Sequence, residues 1–158
     1  MLLLYLTLLL IGPYLILTLV QKINPKLQIT NATKFRIGVS LLFLVGAMGH
    51  FTKAAEMERI IPPIFPNPEL LVFLSAFPEL FGAIGIWIPK LRKLTGTLLI
   101  AWLIGILPFN IYAALEGIDV GGHGAGPVYL LVRVPLQFLA MWCTYLAAEL
   151  DWFRSRTK

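Results

Sequence analysis

Two side chains of opposite charge stand inside long apolar stretches. Glu79 sits in Ala76-Phe77-Pro78-Glu79-Leu80-Phe81, and Arg133 in Leu131-Val132-Arg133-Val134-Pro135-Leu136. An ionisable group within a bilayer costs about 2.5–3.5 kcal/mol on insertion scales, so it turns toward the interior of a helix bundle and takes a partner. A carboxylate and a guanidinium so placed can lock two helices together, relay a proton, or hold the polar end of a ligand. His50 adds an imidazole, the side chain suited to proton transfer near neutral pH. Asn110 and Gln137 add amides that both donate and accept. Gln137 follows Arg133 by one helical turn, so the two share a face. Plainer roles compete with each of these. The charged pair can be structural alone, His50 can donate to a carbonyl at the interface, and Asn110 can satisfy backbone disturbed by Pro108.

The composition supplies the medium in which those residues must work. Of 158 residues, 58% are hydrophobic and only 13% charged, against about 25% charged in a soluble domain. A chain of this length cannot bury so much apolar surface in a water-soluble core. Soluble enzymes, disordered tails and disulfide scaffolds are thereby excluded. The net charge of +5 comes with no basic run and no basic stripe with interleaved aromatics, which argues against nucleic acid as a partner. In so apolar a chain, Lys and Arg mark loops on the cytoplasmic side of a membrane. Cys143 stands alone, so there is no disulfide, no CxxC pair and no Cys-rich metal site. His50 and His123, with scattered carboxylates, match no metal-ligand spacing. Ser75 and Cys143 have no activating partner at fixed spacing, which leaves nucleophilic catalysis without support.

Five segments have the roughly 20 apolar residues that a spanning helix needs: Leu2–Val20, Ile37–Phe51, Leu70–Ile88, Leu94–Leu115 and Val128–Leu150. The second is short and borrows neighbours such as Phe35 and Thr52. The first lacks a basic n-region and a small-residue cleavage site, so it reads as a retained helix and not a signal peptide. If all five cross, ten of the 13 Lys and Arg fall on one side, which places the N-terminus outside and the C-terminus in the cytoplasm. The expected location is the cytoplasmic (inner) membrane, with the lipid bilayer as the first partner. At about 1.5 Å per residue, Glu79 lies about 14 Å below Leu70 and Arg133 about 8 Å below Val128. A long Arg side chain bridges much of that difference, so a salt bridge in the outer half is expected. His50, Asn110 and Gln137 fall in the same half, which predicts a polar chamber near the outer face.

Other features shape that chamber or stand apart from it. Pro78, Pro108 and Pro135 lie beside Glu79, Asn110 and Arg133 and are expected to bend their helices. Pro62-Pro63-Ile64-Phe65-Pro66-Asn67-Pro68 should form a stiff extended connection that caps the chamber or lies at the interface. Gly121-Gly122-His123-Gly124-Ala125-Gly126 reads as a flexible external loop and not a dinucleotide fingerprint. Trp87, Trp102, Trp142 and Trp152 fit interfacial anchoring.

A further resemblance rests on Gly49-His50-Phe51, Ile61-Pro62-Pro63 with Phe65-Pro66-Asn67-Pro68, and Glu79 in the next helix. The series continues through Gly85-Ile86-Trp87-Ile88-Pro89-Lys90-Leu91-Arg92-Lys93-Leu94, Leu107-Pro108-Phe109-Asn110-Ile111-Tyr112 and Val132-Arg133-Val134-Pro135-Leu136-Gln137. The set resembles the DoxX-like family of small integral membrane proteins. The resemblance implies an all-α integral membrane protein: a four-helix transmembrane bundle over residues 33–150, an additional N-terminal transmembrane helix at 1–22, and a tail at 151–158. It further implies association with a membrane redox complex, because the wider group includes subunits linked to thiosulfate:quinone oxidoreduction. The leading expectation is an accessory subunit that binds a small amphipathic ligand through His50, Glu79, Asn110, Arg133 and Gln137. A bound quinone is one candidate, and no other cofactor is implied. Transport of a small solute or proton is the first alternative, and a structural module for membrane assembly the second.

Overall fold

Each of the five apolar segments forms a long helix in the computed structural model, which describes residues 2–118 and 126–152. In chain order the helices are α1 (Leu2–Ile23), α2 (Asn31–Thr52), the short α3 (Ala54–Glu58), α4 (Pro68–Gly85), α5 (Arg92–Leu115) and α6 (Pro127–Ala147). No strand occurs among the described residues. All five long helices are long and apolar enough to cross a membrane, which fits a multi-pass membrane protein. The second span is longer than its hydropathy suggests. Its start is set by Thr30, whose hydroxyl accepts the backbone N–H of Thr33 at 3.2 Å, as an N-cap does. Pro68 and Pro127 open α4 and α6 in the first turn, where a missing N–H costs nothing. Pro13, Pro78, Pro108 and Pro135 each lie inside a continuous helix.

The helices α2, α4, α5 and α6 form a ring in that order, and α1 packs outside it on α2 and α6. Consequently α4 and α6 do not touch; they face each other across the diagonal. The apolar core occupies the half of the ring near the basic residues, with Val39, Ile86, Leu99, Ala140 and Cys143 buried together. The polar candidates lie toward the opposite end, where α2 finishes and α4 begins. The proline-rich connection there is a series of turns, not the expected extended strut: Phe65 N–H closes on the Pro62 carbonyl at 3.1 Å. Each X-Pro step is extended locally, but the closed turns reverse the chain. Phe65 then lies over α5, its ring 5.3 Å from that of Phe109. The glycine-rich loop with His123, and the basic tail residues Arg154, Arg156 and Lys158, lie outside the described residues.

Two basic residues serve packing as well as topology. Lys34 is 3% exposed and Arg36 7%. Lys34 donates to the Thr18 hydroxyl of α1 at 3.0 Å, next to the stacked rings of Tyr14 and Phe35 at 4.5 Å. Gly38 completes this contact, since a Cβ there would collide with the Leu10 carbonyl. Arg36 donates to the Ala147 carbonyl at 2.9 Å and pairs with Glu149, whose carboxylate also accepts from Arg92 at 2.8 Å. One exposed carboxylate therefore ties α2, the start of α5 and the end of α6.

Glu149 occupies an unusual backbone position for its type. Leu150 N–H reaches the Tyr145 carbonyl and Glu149 N–H the Leu146 carbonyl, the Schellman pattern whose left-handed residue is usually glycine. Gly117 holds that place after α5 with φ 61°, and Glu149 holds it after α6 with φ 54°. Left-handed backbone costs a residue with a Cβ about 1–2 kcal/mol. Glu149→Gly should therefore raise stability if backbone strain ruled this corner. The ion cluster predicts the reverse: a lower unfolding temperature in detergent, with Glu149→Asp intermediate, measured by loss of helical circular dichroism on heating.

Candidate functional site

Glu79 is positioned by a missing side chain on its neighbour. It is 7% exposed, and its Oε2 lies against Gly46 of α2, where any Cβ would collide with it. The other oxygen, Oε1, accepts the Trp102 indole N–H of α5 at 3.4 Å and faces His50 Nε2 at 3.7 Å. The opposite ring nitrogen, His50 Nδ1, is 2.8 Å from the Ser75 hydroxyl. That hydroxyl already donates its one hydrogen to the Val72 carbonyl at 2.7 Å. The imidazole must then donate through Nδ1, which leaves Nε2 to face the carboxyl. Ser75 precedes Glu79 by one turn, so both reach α2 from one face of α4. A chain of polar contacts thus runs Ser75, His50, Glu79, Trp102 across three helices.

A second set forms between α5 and α6. Arg133 Nε donates to Asn110 Oδ1 at 3.2 Å, and Asn110 Nδ2 donates to the Ile106 carbonyl at 2.9 Å. Asn110 therefore bonds the carbonyl one turn before itself and not that of Ile104, which Pro108 leaves without its usual donor, and it also accepts from Arg133. Gln137, 1% exposed, donates through Nε2 to the Leu103 carbonyl. Among the described residues two buried acceptors, Glu79 Oε2 and Gln137 Oε1, have no hydrogen-bond partner. Buried polar atoms are paired in the large majority of cases.

The expected ion pair between Glu79 and Arg133 does not form. Their helices stand on the diagonal of the ring, Glu79 is held toward α2 by His50 and Gly46, and Arg133 is held toward α5 by Asn110. The five expected residues are divided between two polar sets, His50 with Glu79 and Arg133 with Asn110 and Gln137 at the α5–α6 contact, and do not form one pair with a lining. Ser75 and Trp102 belong with them and carry a signal visible in retrospect. Ser75 stands four residues before Glu79, and Trp102 lies about 15 Å into α5, too deep for an interface anchor. Trp87 likewise turns inward and donates to Ser40 Oγ at 2.8 Å. Cys143 is packed in the apolar core. Among the described residues no three His, Cys, Asp or Glu side chains converge as metal ligands. A surface groove lined by Glu58, Asn67, Glu69 and Phe73 lies at the foot of α4, away from both sets.

A family model described as a domain of unknown function (DUF8561) matches residues 39–147. The chain belongs to that family. The DUF8561 match begins inside α2 and ends with α6, so it contains Ser75, Trp102 and all five expected residues, and leaves α1, Arg36 and Glu149 outside. No curated protein and no solved structure matches the chain.

The geometry sets which residues are energetically coupled. Residues in contact show coupling of about 0.5–3 kcal/mol, whereas separated ones add to within about 0.5 kcal/mol. A double-mutant cycle on Glu79→Gln and Arg133→Met in detergent unfolding should fall in the additive range. The cycle on His50→Gln and Glu79→Gln should show coupling, and so should the one on Asn110→Leu and Arg133→Met.

Proposed function

We propose that the DUF8561 domain binds a small amphipathic ligand in the polar half of its helix ring, with a quinone-like headgroup as the candidate. The observation that carries this reading is the unmet hydrogen bonding at Glu79 Oε2 and Gln137 Oε1 in an otherwise tightly bonded interior. A headgroup hydroxyl would donate to such an acceptor, and a headgroup carbonyl oxygen would accept from Arg133. The aromatic neighbour Trp102 suits a planar ring. On this reading the chain is an accessory subunit of a membrane redox assembly, a DoxX-like protein in the sense of its motif series. The distribution of Lys and Arg supports an N-terminus outside and a C-terminus in the cytoplasm of an inner membrane.

Proton transfer is a second reading, favoured by the run from Ser75 through His50 to Glu79. It has weaker support because the run stops at Trp102, whose indole only donates. Beyond it lie Leu99, Leu103 and Ala140, all apolar and buried. A relay that ends in hydrocarbon conducts nothing.

A short-chain quinone titrated into the purified protein should quench tryptophan fluorescence saturably, because Trp102 touches Glu79. Trp102→Phe should remove most of the quenched signal, and Arg133→Ala should weaken binding about tenfold or more, which is about 1.4 kcal/mol. Quenching that never saturates, or that is the same in Arg133→Ala, overturns the proposal. Proteoliposomes carrying the protein should show no proton uptake under an imposed gradient.

A further inference from the structure

We infer that the polar group held by this site is an oxyanion, a carboxylate or phosphate carried on an apolar tail, and that the forked guanidinium of Arg133 receives it. The inference rests on the reading above that this half of the bundle binds an amphiphile, and it puts an oxyanion at Arg133 in place of the quinone-like headgroup.

Glu79 is the acid nearest in kind to balance Arg133, yet it is engaged by His50 and Trp102 on the far side of the ring. Among the described residues Arg133 makes no ion pair. Its single hydrogen bond uses Nε, on the edge toward Asn110. Both terminal nitrogens therefore keep their N–H groups uncommitted. An Arg without a counter-charge inside a spanning helix is costly, and its planar fork fits the two oxygens of a carboxylate or phosphate in parallel. A neutral carbonyl takes a hydrogen bond but leaves the charge unbalanced. An oxyanion does both.

The surroundings supply the tail. Val128, Leu131 and Val132, within about 8 Å of Arg133 along the helix axis but on the outer faces of α6, are 67%, 75% and 55% exposed. In a bilayer that surface faces acyl chains, so an amphiphile can lie along α6 with its head turned in at Arg133. Arg133 is about 9 Å from the Pro127 end of α6 at about 1.5 Å per residue, a depth that a headgroup reaches by modest insertion. Asn110 holds the guanidinium by Nε and so fixes the direction of the fork.

The test uses the full chain in a neutral detergent, with binding read by native mass spectrometry and calorimetry. The probes are oleate, oleyl alcohol, phosphatidate, inorganic phosphate and a short-chain quinone. Oleate or phosphatidate should bind at least about tenfold tighter than oleyl alcohol. Arg133→Gln should abolish that preference while retaining the helical circular dichroism of the parent. Arg133→Lys, which keeps the charge without the fork, should keep only part of it. Phosphatidate bound in preference to oleate assigns the anion to a lipid phosphate, whereas saturable inorganic phosphate assigns it to a free anion; both support an oxyanion site. Equal affinity for acid and alcohol, or an acid preference that survives in Arg133→Gln, overturns the inference. If the quinone binds and no acid is preferred, the ligand-binding reading stands and this inference falls; if nothing binds, both fall.

Discussion

The carboxyl of Glu79 rests in the space that Gly46 leaves open on α2, and the polar half of the bundle is arranged around that contact. A charged or polar side chain among hydrocarbon must be satisfied from within the protein. The ring order α2, α4, α5, α6 decides which neighbours are in reach. Glu79 finds His50 and Trp102 on the two helices that flank α4. Arg133 finds Asn110 on α5, which flanks α6. Opposite charges on diagonal helices are kept apart by the same geometry that gives each a polar neighbour.

The two ends of the bundle solve the burial of arginine differently. Near the basic residues, Arg36 is buried but receives the Ala147 carbonyl and a carboxylate that it shares with Arg92. Glu149 accepts a left-handed backbone to reach them, so the ionic contacts outweigh a strain of about 1–2 kcal/mol. That corner is closed and complete. Among the described residues Arg133, by contrast, has one neutral hydrogen-bond partner through Nε, and two buried acceptors, Glu79 Oε2 and Gln137 Oε1, lack donors. A purely structural lock would be satisfied throughout, as the Arg36 corner is. The unmet bonding at these atoms is what the proposed ligand-binding reading rests on.

Family membership sharpens this contrast. The DUF8561 match covers the four ring helices almost entirely and stops short of α1, Arg36 and Glu149. The polar half therefore belongs to the family domain, and the ionic corner draws on residues at its margins. α1 adds a packing surface through Leu10, Tyr14 and Thr18 without contributing to either polar set.

Hydropathy and length alone determined that this chain is all-helical with five segments fit to span a membrane, because burying backbone in hydrocarbon leaves few other solutions. The same reasoning singled out His50, Glu79, Asn110, Arg133 and Gln137, since a polar residue is conspicuous where its neighbours are apolar. Partnership was another matter. Depth along a helix can be counted from sequence, but azimuth around the bundle and the order of helices in the ring cannot, and those two quantities decide contact. Glu79 and Arg133 have compatible depths and opposite charges, yet stand on the diagonal; Ser75 and Trp102, which the sequence offered only for other roles, stand beside His50 and Glu79. The tertiary structure alone made Gly46 a seat for a carboxyl, because a glycine's lack of a side chain matters only once a neighbour is pressed against it.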